Sequence, residues 1–464
     1  MDTVLLSAFI LYFTTLIGIG LYFYKRNQST QEFMLGDRSV NYYVTAVATQ
    51  ASDMGSWLFL GFPAFVMMRG VFEIWTAIGL IMGMFAAWTF VAPQLRKKTA
   101  QLDALTLSSY FADVFDDHSG IIQLISSCFA LFFFTFYITS GLVGLSLVFS
   151  SAFGFSYHVG IVVSVVTAAL YTLVGGFVAV AWCDFFQGIF LLVMIVLVPT
   201  VGFFTVGGLP AIIQAAEIQN ISLSLLATPR EMLSALFLAA SWGLGYFGQP
   251  HILVNFMGID DVRNMKHART VGIVWQAIVL SASAAVGLVG IAFYAGSLLN
   301  PELVFIDMAL ALFHPFIAGL ILCAIFAATL STMDSLILVA GSLCAQDIYK
   351  PLVNKKASAQ KLLFVSRVAS IIASAAALAL AWKSDVSVYE LVNYAWSGLG
   401  STFGPLVLSS LYLKNVSKRT ALAGLITGGL TSALWPFYFA SLPLVPGFFA
   451  GLVVILFGSQ IIKS

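Results

Sequence analysis

Asp53 sits in the run Ala51-Ser52-Asp53-Met54-Gly55-Ser56-Trp57, near the middle of an apolar stretch, with Gly61 and Pro63 following. An ionisable group at membrane depth costs at least about 2.5–3.5 kcal/mol and marks function by default. The bland alternative is a carboxylate tied to backbone amides at a helix break, which would still mark the break. A second polar run, Ala327-Ala328-Thr329-Leu330-Ser331-Thr332-Met333-Asp334-Ser335, sets Ser331, Asp334 and Ser335 on one helical face. Hydroxyls, carbonyls and a carboxylate are hard oxygen ligands, suited to a small hard cation. Serines in membrane helices more often bond back to their own backbone, but a bare carboxylate at Asp334 wants a positive partner. Asp184 closes the stretch Gly175-Gly176-Phe177-Val178-Ala179-Val180-Ala181-Trp182-Cys183-Asp184. Composition there is equally consistent with a cation ligand and with a solvated helix end.

Residues 241–251, Ser-Trp-Gly-Leu-Gly-Tyr-Phe-Gly-Gln-Pro-His, interrupt another apolar stretch. Gly243, Gly245 and Gly248 weaken a helix there, and Pro250 removes a backbone donor and clashes with the preceding turn. In hydrocarbon each freed backbone group costs several kcal/mol, so such a break survives only where it lines a cavity or meets a ligand. Trp242 and Tyr246, four apart, share the face that looks into that cavity. A broken membrane helix with an aromatic wall suits a transporter that holds a small polar solute. Tyr137, in Phe136-Tyr137-Ile138-Thr139-Ser140-Gly141, is either a gate over such a solute or a packing ring. Glu73 and Asp37 fall at span ends, where solvation accounts for them.

These residues have to be held by membrane helices. The chain of 464 residues is 60% hydrophobic and 9% charged, with a mean hydropathy of +0.98. Soluble domains carry about 25% charged residues, so this is an all-α polytopic membrane protein. About 13 apolar segments are long enough to span, near 4–24, 42–66, 71–93, 120–150, 157–177, 181–205, 232–256, 270–298, 308–346, 362–382, 388–413, 419–438 and 442–462. The first lacks a positive leader region and reads as a retained helix. Lys25, Arg26, Arg38, Arg96, Lys97, Lys98, Arg263, Lys266, Arg269, Lys350, Lys355, Lys356, Lys361, Arg367, Lys414, Lys418, Arg419 and Lys463 then share one side. They are 18 of the 21 basic residues, leaving Arg69, Arg230 and Lys383 opposite. The positive-inside rule puts the N-terminus outside and the C-terminus in the cytoplasm.

Cys128, Cys183, Cys323 and Cys344 lie in apolar segments and read as packing residues. Residues 206–231 are too few for a separate domain. No Walker A sequence is present, which argues against ATP drive, and Gly398, Gly400 and Gly404 are helix packing or a further break. No nucleophile–base pair or metal-ligand cluster points to an enzyme, and the net charge of +1 gives no basis for nucleic-acid binding.

At these residues the chain resembles the sodium/solute symporter family, most closely its bacterial proline-carrying members. The matching stretches are Ala51 to Met54, Tyr171-Thr172 through Gly175-Gly176-Phe177 to Asp184, and Trp242 to His251. Ala327 to Thr332, Gln346-Asp347-Ile348-Tyr349-Lys350 and Ala395-Trp396 to Gly404-Pro405 continue it in order. The resemblance implies a LeuT-like inverted repeat of five plus five helices, with the first helix of each repeat broken. The repeats would be 42–205 and 232–413, with 1–41 before them, 206–231 connecting them outside, and two helices in 414–464 after them. It implies sodium-coupled import of a small zwitterion, L-proline first, in a bacterial inner membrane. Sodium would sit between carbonyls of Ala51, Met54 and Ala328 and the hydroxyls of Ser331 and Thr332. Solute would lie against Trp57, Tyr137, Trp242, Tyr246, Pro250 and Gly319, with Asp53 supporting the sodium dependence. A second sodium would use Asp184, Ser331 and Ser335, here with Asp334.

Three departures matter. Gly55-Ser56 stands where the proline carriers read Ser-Gly, so the hydroxyl of Ser56, a candidate solute contact, has moved by about 100° round a regular helix. Restoring Ser-Gly is expected to tighten proline binding. Asn255 replaces an arginine, and Asp334 replaces a small residue. Other readings are the same machine carrying another amino acid, a monocarboxylate or pantothenate, or else a sodium channel or a nutrient sensor. A sensor is expected to carry an added cytoplasmic domain, and the sequence ends at Ser464 shortly after its last span.

Overall fold

The computed structural model describes residues 3–24, 35, 38–174, 177–226, 229–294, 296, 300–383 and 386–461. Lys25, Arg26, Asp37, Lys463 and the pair Gly175–Gly176 lie outside the described residues. Helices stand on every apolar segment that the sequence marks: α1 Thr3–Tyr24, α2 Tyr42–Met54, α3 Gly61–Arg69, α4 Ile74–Ala86, α5 Ala92–Gln101, α6 Leu107–Val114, α7 Ile121–Phe153, α8 Tyr157–Val174 and α9 Phe177–Thr205. They continue with α10 Leu209–Ile218, α11 Pro229–Gly243, α12 Pro250–Gly258, α13 Met265–Tyr294, α14 Val304–Leu312, α15 Pro315–Ser342, α16 Ala359–Ala381, α17 Val388–Tyr412, α18 Lys418–Leu434 and α19 Leu444–Ile461. Among the described residues there is no β-strand, only one isolated parallel bridge between Val40 and Ile259. Six helical stretches among them are long and apolar enough to cross a membrane.

Polar residues outside the apolar runs start the helices, as the orphan first-turn N–H groups require. The Asn41 side chain accepts from Val44 N at the head of α2 (3.0 Å), and Ser387 with Glu390 forms a capping box on α17. The expected single segment at 308–346 is two helices, because His314 caps a new start and Pro315 occupies its first turn. The stretch 206–231, expected to connect the two repeats, likewise holds its own short helix, α10.

Helix α15 is the central pillar, buried without interruption from Ile321 to Leu343 and packed against α1, α2, α7, α9 and α16. Helix α17 lies against α7, α18, α19 and the turn that follows α11. Both expected breaks are present. Helix α2 ends at Met54 and resumes as α3 at Gly61, through the tight turn Ser56–Leu58. Helix α11 ends at Gly243, passes through the tight turn Leu244–Phe247 and an extended Gln249, and resumes at Pro250. Pro250 therefore begins a helix, where its missing N–H is not needed, rather than kinking one. The far ends of the two broken helices are tied at the basic end of the bundle. Asp260 N donates to Val40 O (2.9 Å), and Arg38 donates to the carbonyls of Met257, Thr99 and Ala104 (2.9–3.0 Å).

Candidate functional site

The first break is set by Gly55. Its φ of +44° lies in the left-handed region that favours glycine, and a Cβ there would sit 3.3 Å from Thr332 Oγ1. Stopping α2 at Met54 leaves its last-turn carbonyls, among them Ala51 and Met54, without a next turn to bond. Thr332 faces this helix end from α15, its hydroxyl donating to Ala328 O (3.1 Å). The structure thus brings Ala51, Met54, Ala328 and Thr332 to one locus, all buried. Ser331, also buried, has no hydrogen-bond partner for its hydroxyl.

The two breaks meet at Asp53. Tyr246, in the second break, donates its phenol to Asp53 Oδ2 (2.5 Å). Tyr137, on α7, donates to the backbone oxygen of Asp53 (3.2 Å), and Gln276, on α13, donates to the Tyr246 oxygen (2.7 Å). Asp53 Oδ1 is buried with no partner. Beside this layer the rings of Trp57 and Trp242 stack at 5.4 Å, and Trp242 adjoins Tyr389 and Trp396. Trp396 packs edge-on to Tyr246 at 5.0 Å and donates its indole N–H to Trp242 O (2.9 Å). Gly245 permits that approach, since a Cβ there would lie 2.0 Å from the Trp396 indole nitrogen. The site is thus an aromatic slot over an oxygen-rich floor, closed here because Trp57 and Trp242 cover each other.

A second oxygen cluster lies between α1, α9 and α15. Asp184 faces Ser331 and Asp334, and Tyr12, hydrogen-bonded to Gln187 (3.2 Å), adjoins it. Asp184 Oδ1, both Asp334 carboxylate oxygens, Ser331 Oγ and Gln187 Oε1 are buried without partners. Unpaired buried carboxylates are strongly unfavourable, so the donor set fits a hard cation. Ser335 follows Asp334 on α15 and is also buried. It lines a cavity of about 30 Å³ with Pro250, His251 and Asn255, which reaches toward Thr106 and Leu343 at the basic end. That volume holds about two waters.

Two expected solute contacts fall elsewhere. Gly319 faces α1, where a Cβ would meet Ala8 and Leu5 at 2.8–2.9 Å. Ser56 turns to α7, its hydroxyl donating to Ser140 O (3.4 Å). Asn255 donates to Ser52 Oγ (3.3 Å) and His251 O (3.2 Å). Gln276, Gln187, Tyr12 and Tyr389 were not singled out from sequence. The two glutamines carried a usable signal, being polar residues in otherwise apolar spans.

The family model for the sodium:solute symporter family matches residues 33–428. The chain is 40% identical over 457 residues to the high-affinity proline transporter PutP of Bacillus subtilis, covering 96% of each chain. It is 37% identical over 481 residues to the sodium/proline symporter of Escherichia coli, covering 100% of this chain and 94% of that one. Among solved structures it superposes with a TM-score of 0.83 on a sodium-coupled sialic acid symporter in a substrate-bound outward-open state, at 20% identity over 99% and 98% of the two chains. It does so at 0.60 on a transporter of the nucleobase-cation-symport-1 family, at 15% identity over 94% and 96%. The fold is therefore the all-helical, LeuT-like symporter fold with two broken helices, sodium is the coupling ion, and the protein is a multi-pass inner-membrane carrier rather than an enzyme. The chain belongs to the sodium:solute symporter family.

Proposed function

We propose that this protein imports L-proline together with sodium by alternating access. The carrying observation is the meeting of the two helix breaks. Asp53 and Tyr246 join them, Thr332 faces the open end of one, and Trp57 and Trp242 form a slot suited to a compact apolar ring. The relatives named for proline transport at 37–40% identity support that substrate. Sodium is held by carbonyls of Ala51, Met54 and Ala328 with the hydroxyls of Ser331 and Thr332. Proline contacts Trp57, Tyr137, Trp242, Tyr246 and Pro250, and Asp184 and Asp334 hold a second cation.

The chain crosses the membrane 13 times, in repeats 42–205 and 232–413, with the N-terminus outside and the basic loops in the cytoplasm. One sodium entering down 100 mV releases about 2.3 kcal/mol, and a tenfold gradient adds about 1.4, which supports roughly 500-fold accumulation of a neutral solute. Because the α2 break borders both ion and solute, sodium orders it and preforms the slot, a reciprocal linkage.

The test is labelled proline uptake into proteoliposomes under a sodium gradient, against potassium at matched membrane potential. Sodium-driven accumulation that is lost in Asp53→Asn supports the reading. Sodium-dependent binding of a different solute with no proline uptake removes proline and keeps the symporter.

A further inference from the structure

Gln276 lies midway along α13 and is fully buried. Its amide nitrogen is 2.7 Å from the Tyr246 phenol oxygen, and that oxygen is 2.5 Å from Asp53 Oδ2. A phenol carries one proton, and a carboxylate can only accept. The short contact to Asp53 therefore takes the phenol proton, and the phenol lone pair must be met by a donor. The nitrogen of Gln276 is that donor. With the amide turned over, its oxygen would compete with Asp53 for the one proton and set two acceptors against each other.

The same helix is fixed on both sides of this residue. Gly272 O accepts from Gln50 on α2 (2.7 Å), and the Trp275 indole donates to Gly188 O on α9 (3.0 Å). Helix α13 thus holds Gln276 in register with the first break while the second break supplies Tyr246.

We propose that Gln276 is a positioning residue of the coupling site: its amide turns the Tyr246 proton onto Asp53 Oδ2 and so keeps Oδ1 as the carboxylate oxygen left for the positive charge that sodium brings. This rests on the proposed sodium coupling. It assigns Gln276 no contact with ion or solute, and its effect passes through Tyr246 alone.

Four variants test it: Gln276→Glu, which sets an acceptor against the phenol, Gln276→Met, which removes the polar contact at similar volume, and each of these two in a Tyr246→Phe background. The readout is the sodium concentration at half-maximal change in tryptophan fluorescence of the purified protein, since Trp57, Trp242 and Trp396 ring the site. Sodium-dependent proline uptake is measured beside it.

Gln276→Glu should raise the half-saturating sodium at least about tenfold, and Gln276→Met about two- to threefold. The maximal uptake rate at saturating sodium should be largely kept. In the Tyr246→Phe background both shifts should shrink to less than about twofold, because no phenol proton remains to direct. If Gln276→Glu does not accumulate, the Gln276→Met cycle alone decides. A shift of equal size in both backgrounds, or parental sodium dependence in Gln276→Glu, overturns the assignment. Lack of proline uptake by the parent with an intact sodium titration counts against proline, and the cycle still judges Gln276.

Discussion

Tyr246 and Asp53 stand 193 positions apart, on the two broken helices, and share a 2.5 Å hydrogen bond. Neither break is long enough to bury its own polar groups, so each completes the other. A bond to a charged group contributes about 1.5–3 kcal/mol. Tyr246→Phe should therefore raise the half-saturating sodium and the proline KM by about tenfold or more, read from initial uptake rates. Parental constants would show that the two breaks are joined by something else.

Thr332 bears on coupling. Its hydroxyl is at the end of α2, against Gly55. Thr332→Ala should weaken sodium binding about tenfold and leave proline binding less responsive to sodium. Proline affinity measured with and without sodium checks this, and an unchanged sodium sensitivity would refute the idea that sodium orders the break.

The sequence suggested that restoring Ser-Gly at positions 55 and 56 would tighten proline binding, and the backbone argues otherwise. Position 55 has φ of +44°, where a serine is strained by roughly 1–2 kcal/mol. Its Cβ would also press on Thr332. The double exchange Gly55→Ser with Ser56→Gly is expected to lower sodium-driven uptake several-fold. Tighter proline binding in this variant would mean that the break shifts by a residue to accommodate it.

Asp334 adds a second carboxylate beside Asp184, and among the described residues no basic side chain is hydrogen-bonded to it. Asp334→Ser should lower the number of sodium ions moved per proline, or weaken one of them, without abolishing uptake. Reversal-potential measurements in proteoliposomes give that ratio, and an identical ratio in parent and variant would argue that any ion held there does not move.

Away from the site, Lys418 pairs with Asp117 (2.8 Å) and closes the loop before α7 onto α18. Burial disfavours the Asp117 charge, but Lys418, Ser119 and the Ile122 N–H outweigh it and hold the carboxyl below the usual carboxylate range. A depressed folded value gives stability that is present above the unfolded value of about 3.9 and lost as pH falls through the folded one. Lys418→Met should cost about 1 kcal/mol at neutral pH and blunt the loss of thermal stability below about pH 4. An unchanged acid profile would show that the pair adds nothing.

The sequence by itself determined the class of the fold and the location of both breaks. Apolar runs of spanning length must be helices, and glycines with a proline inside them must interrupt those helices. It also marked Asp53, Asp184 and Asp334, because a carboxylate in an apolar span has to be answered by a partner. Only the tertiary structure decided which partners answer. Tyr246 reaches Asp53 from the other half of the chain, Gln276 directs the proton between them, and Asp184 and Asp334 are left facing each other. Ser56 and Gly319, matched by resemblance to the solute pocket, turn instead toward α7 and α1. Helical periodicity fixes which residues share a face. The element that the face meets is set by how the whole bundle packs.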